Sequence, residues 1–109
     1  MKSQKPKGQE AIETFSVLVM DMRHYMDEDE NFTVHGFQSA EQAREYARRR
    51  TRSSLEESRC ADPEATKRAW FDWGESCIGE GYSGYSELDF FIANPATGDE
   101  CDFVAIEPR

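Results

Sequence analysis

Apolar and polar positions follow two different periods along this chain. From Thr14 to Met22 the run TFSVLVMDM sets Phe15, Val17 and Val19 on one side and Leu18, Met20 and Met22 on the other. Apolar residues on both faces predict a strand inside a sheet. After the acidic stretch from Asp27 to Asn31, Phe32 and Val34 alternate with Thr33 and His35. That alternation predicts a second strand ending at Phe37, joined to the first as a hairpin with a wide loop.

The period changes at Ser39. Residues 39–59 read SAEQAREYARRRTRSSLEESR, the one long, strongly helical run. Ser39 with Gln42 forms a capping box at its start. At about 100° per residue, Ala40, Ala43, Ala47, Thr51, Ser54 and Ser58 share a stripe flanked by Tyr46 and Leu55. The opposite face carries Glu41, Glu45, Arg48, Arg49, Arg52 and Glu56, with Glu45 and Arg49 in the favourable i,i+4 order. The stripe is small rather than greasy, so the helix is expected to lie close against a sheet that supplies the large side chains.

Cys60 and Ala61 break this helix. Asp62 as N-cap and Pro63 at the first position predict a second one over Pro63–Trp73. It places Ala65, Ala69, Trp70 and Trp73 near one side and ends at Gly74. Residues 74–86 run from Gly74 to Ser86 with four glycines and predict a loop. Two further strands are expected at 87–92 and 102–106, separated by turn residues at 94–99. The expected architecture is therefore α+β. Its order is β-β-α-α-β-β, a mainly antiparallel four-stranded sheet with one long helix on a face and a second short helix. Residues 1–12 are expected to form a disordered polar arm, and 13–109 a single α+β domain.

Charge narrows the function. The 109 residues carry a net charge of −9, so nucleic acid is not expected as a partner. The imbalance is uneven. Residues 39–59 hold six Arg against four Glu, while the remainder holds seven basic and eighteen acidic residues. An acidic chain of this kind favours a basic macromolecular partner. Cys60, Cys77 and Cys101 form no CxxC pair, the first residues show no apolar leader, and no apolar run approaches a bilayer span. The expectation is a cytoplasmic protein with reduced thiols, no membrane association and no cofactor or metal.

Three motifs carry little chemistry. Residues 79–84 match GxGxxG, but a predicted helix precedes them and a predicted strand follows, the reverse of a dinucleotide site. Asp27-x-Asp29-x-Asn31 begins like a calcium loop but has Phe32 and Gln38 where Gly and Glu are needed. His24, His35 and the cysteines have no ligand or nucleophile spacing. Two groups remain. The aromatic residues Trp70, Trp73, Tyr82 and Tyr85 surround the glycine-rich loop. Arg48 and Arg52 lie on the outer helix face, where bidentate recognition of an acidic group is available. The reading they support is a small protein-protein interaction or regulatory domain without catalytic activity. The alternative is a small-ligand-binding domain or minor enzyme with its site at the loop 74–86.

Overall fold

A computed structural model describes residues 14–24 and 27–108. The expected disordered arm, 1–12, lies outside the described residues. The class and layering are those expected: a four-stranded antiparallel sheet, one long helix across a face and shorter helical segments. Strand β1 is Phe15–Asp21, β2 is Phe32–Phe37, helix α1 is Ala40–Glu57 and α2 is Pro63–Trp73. They are followed by β3 (Glu75–Gly79), β4 (Tyr82–Ser83) and a six-residue helix, α3 (Leu88–Ala93). The sheet order is β2-β1-β3-β4, so β1 is internal as its two apolar faces require.

The last two strands are not where the hydrophobic pattern put them. Residues 87–92 and 102–106 form α3 and a 3-10 turn (Val104–Ile106), and the sheet is completed instead by β3 and β4 from within the glycine-rich stretch. Glu80 and Gly81 have φ of 49° and 82°, the two left-handed positions of a tight hairpin turn, and Gly79 pairs with Tyr82 across it. Gly81 thus belongs to a hairpin, which disposes of the GxGxxG match.

The reason for α3 is tertiary. Leu88 and Phe91, three residues apart, are buried with Leu55 and Trp70 in a second apolar cluster. Arg59 donates to the carbonyls of Phe91 and Ile92 at 2.9 and 3.1 Å, and Arg52 donates to that of Asn94 at 2.6 Å. Two guanidinium groups, one from α1 and one from just beyond its end, therefore satisfy the carbonyl end of α3, where positive charge is also favoured.

The main cluster lies between α1 and the sheet: Val17, Val19, Phe37, Ala43, Tyr46, Ala47 and Cys77. The small stripe of α1 does what its size suggests. The Ser54 hydroxyl accepts from the indole N–H of Trp70 (2.9 Å) and the amide of Glu75 (3.1 Å), joining α1, α2 and β3 at one oxygen. The Thr51 hydroxyl accepts from the Cys77 amide at 3.0 Å. At Gly84 a Cβ would stand 2.1 Å from that same hydroxyl oxygen, so only glycine admits this approach. In β2 the register with β1 shifts beside Gly36, whose φ is 102°. The shift turns Phe37 inward onto Tyr46, with ring centroids 4.9 Å apart.

Both helix starts are capped as expected. The Ser39 hydroxyl accepts from the Gln42 amide at 3.0 Å, and Asp62 accepts from the Ala65 amide at 2.8 Å. Gln42 reaches back to the Gln38 amide, at 3.4 Å, and so closes the capping box one residue early. Among the described residues no helix is long and apolar enough to cross a membrane.

Candidate functional site

The helices cover one face of the sheet and leave most of the other bare. Alternation along β3 sends Cys77 toward α1 and sends Ser76 and Ile78 to the opposite side. There Ile78 pairs with Leu18 and Ser76 with Met20 across the strands. Leu18 and Ile78 are each 37% exposed. Where this bare face meets α2 and the turn after β4, a groove of about 490 Å³ opens. Its lining is Met20, Met22, Phe71, Ser76, Ile78, Ser83 and Tyr85.

The groove is mainly apolar, and its polar groups are the hydroxyls of Ser76, Ser83 and Tyr85. Ser76 is 1% exposed, and its hydroxyl has no hydrogen-bond partner. A buried hydroxyl without a partner costs about 1–3 kcal/mol, so such groups call for a specific explanation. The walls are positioned from the core outward. Trp70 is fully buried and anchored by Ser54, and it carries Phe71 edge-on at 5.3 Å and Tyr85 stacked at 6.3 Å. Tyr85 itself is 52% exposed. Met20 and Met22 add polarizable thioethers to the lining, groups that pack well on aromatic rings.

The structure separates the six residues singled out from the sequence. Tyr85 lines the groove, and Trp70 stands behind it. Trp73 diverges from Trp70: it is 70% exposed, with the Arg23 guanidinium 4.5 Å from its ring centre. Tyr82 turns toward α1, where its hydroxyl donates to Glu87 at 2.6 Å. Arg48 holds the same carboxylate with two bonds, of 2.8 and 3.2 Å. Burial raises Glu87, but the bonds from Arg48 and Tyr82 outweigh it and leave the group below the usual glutamate range. Burial and the neighbouring Glu87 push the Tyr82 phenol up, well beyond its ordinary value.

Arg52 departs from its expected place on the outer helix face. It is 3% exposed, packed 4.9 Å from the Phe91 ring centre, with Glu100 3.8 Å away and its Nε unpaired. The rest of the basic run is also tied inward. Arg44 donates to the Glu80 carbonyl, Arg49 to Glu45 and the Asp102 carbonyl, and Arg50 to Glu75 and the Tyr46 hydroxyl. The positive charge of α1 is thus spent on fastening the second half of the chain.

Cys77 is buried, which pushes its thiol up to about 12 and keeps it protonated. The groups that can approach a cation are elsewhere. Asp21, His24 and Glu30 bring one donor atom each within 4.8 Å of one another, with His24 Nδ1 3.3 Å from Asp21. All three side chains are substantially exposed, and the His24–Asp21 contact joins neighbours three residues apart in one turn.

Sequence reasoning missed Ser76 and Ile78 because 75–79 reads as loop, and it read Met20 and Met22 only as one face of the first strand. One signal was present: ESCIG and Tyr82-Ser83 are separated by two residues ending in Gly, the spacing of a tight hairpin. No family model, curated protein or solved structure matches the chain.

Proposed function

We propose that the protein is a non-catalytic interaction domain, and that it docks an apolar side chain of a partner protein into the groove on the bare sheet face. The observation that carries this reading is the groove itself: five apolar or aromatic side chains with an unpartnered, buried hydroxyl among them. A concave apolar site with few polar groups is the usual form of a docking pocket. The described lining contains no carboxylate, imidazole or thiol, so nothing in it would activate the hydroxyls of Ser76, Ser83 or Tyr85. Arg48, Arg52 and Arg59 support the same choice, because each already bonds to a carboxylate or carbonyl within the chain.

Selection of a random peptide display library on the immobilised protein tests this. The expected result is a set of peptides sharing an apolar or aromatic anchor, whose binding is lost on Ile78→Asp. Ile78 is partly exposed, so that change puts a charge in the groove without opening the core. Peptides that bind Ile78→Asp undiminished would remove the groove from the interaction.

A further inference from the structure

We infer that the side chain received by the groove is a tyrosine, selected by the hydroxyl of Ser76. The inference rests on the groove being the docking site, and three features of the lining narrow the occupant.

Charge comes first. A third of this chain is charged, yet the described lining holds no Asp, Glu, Lys, Arg or His. A charged occupant would lose its hydration there and gain no counter-charge, at a cost of several kcal/mol. The occupant is therefore neutral. This excludes carboxylates, ammonium groups and phosphorylated side chains.

Shape and polarizability come second. Phe71 and Tyr85 stand with ring centroids 5.8 Å apart and planes inclined by 60°, and the thioethers of Met20 and Met22 line the same groove. Tilted rings and thioether sulfur both make favourable contacts with a further aromatic ring. The occupant is a ring.

The third feature is the orphan. Ser76 sits on β3 opposite Met20 and points to the bare face, 1% exposed and without a partner. A purely apolar ring would leave this hydroxyl, already shut off from water, without a partner. A ring with a polar tip would satisfy it. A serine hydroxyl both donates and accepts. The phenol hydroxyl is the neutral aromatic tip that can also do both, whereas the indole N–H can only donate.

The test uses three small probes: p-cresol, 3-methylindole and toluene, which stand for tyrosine, tryptophan and phenylalanine side chains. Binding to the full chain is followed by NMR, through the methyl signals of Met20, Met22 and Ile78 and the amide of Ser76. The expected result is that p-cresol binds about fivefold more tightly than toluene, the advantage of one added hydrogen bond. Ser76→Ala should abolish that advantage while leaving toluene binding equal or stronger. This variant removes a group that makes no bond, so its fold is retained. Toluene binding as tightly as p-cresol, 3-methylindole binding more tightly than p-cresol, or an advantage that survives Ser76→Ala would each overturn the assignment to tyrosine while leaving the groove as a site. Failure of all three probes to shift these signals would overturn the groove reading as well. As a final arm, the same titration with Ile78→Asp should show no binding, and undiminished p-cresol binding there would place the phenol elsewhere.

Discussion

At the scale of single residues, small hydroxyls do much of the joining. Ser54 is the clearest case. Its oxygen receives the indole N–H of the fully buried Trp70 and the amide that begins β3, and its proton goes to a carbonyl of Thr51 or Glu75 at 2.8 or 3.0 Å. Alanine at this position keeps the helix propensity and deletes the oxygen. The indole N–H is then left buried without an acceptor, and the cost of such a group is about 1–3 kcal/mol. Urea unfolding of Ser54→Ala should show a loss of about 2 kcal/mol. Ser53→Ala, next to it on the helix, should stay within about 0.5 kcal/mol. Equal effects would mean that the shared hydrogen bonds contribute nothing specific. Ser76 is the contrasting hydroxyl: it is as buried as Trp70 but joins nothing, which is why it marks the groove.

At the scale of elements, the least self-sufficient piece is α3. Six residues are far too few for a helix to persist in water on propensity. It forms because Leu88 and Phe91 are covered and because Arg59 and Arg52 meet its last carbonyls. The Arg59 side chain also holds Glu56 with two bonds of 2.8 Å, and Glu56 in turn accepts from the Ala96 amide at 3.0 Å. Arg59→Ala should therefore loosen 88–96 before it loosens the sheet. Amide exchange across 88–94 should accelerate roughly tenfold, about 1.4 kcal/mol of local stability, with β1 and β3 little affected. Uniform acceleration in all elements would show that α3 is not held separately.

At the scale of the molecule, acid should act through the ion pairs that fasten the C-terminal half to α1. Hydrogen bonds from Arg59 lower Glu56 first, and the bonds from Arg48 and Tyr82 overcome burial to lower Glu87. A carboxyl held below its unfolded value of 4.5 binds its proton less readily when folded. The unfolded chain then takes up more protons, so stability rises with pH through that interval. The contribution is complete above pH 4.5 and is lost as pH falls through the lowered folded values. Chemical unfolding measured from pH 7 downward should show a plateau and then a decline below about 4.5. Glu87→Gln should lower the plateau and flatten the decline. An unchanged acid limb in that variant would exclude the Arg48–Glu87–Tyr82 cluster as a source of the pH dependence.

The sequence by itself determined the parts whose signals are local. The double apolar face of β1, the alternation in β2, the caps at Ser39 and Asp62 and the small stripe of α1 each follow from neighbours within a few residues. Together they specify an α+β layer with a long helix on an internal strand. It did not determine the second half, because 75–79, 87–92 and 102–106 are short apolar runs that fit either period. For Leu88 and Phe91 the decision came from the cavity beside Leu55 and Trp70, and for Ser76 and Ile78 from the free edge of β1. The arginines show the same division. Their spacing made α1 basic, but only the returning chain, with its carbonyls at 91, 92 and 94 and the carboxylate of Glu87, turned that charge inward. The groove belongs wholly to the tertiary structure. Its walls come from three strands, a helix and two 3-10 turns, and the unpaired hydroxyl among them is visible only once those elements have closed around it.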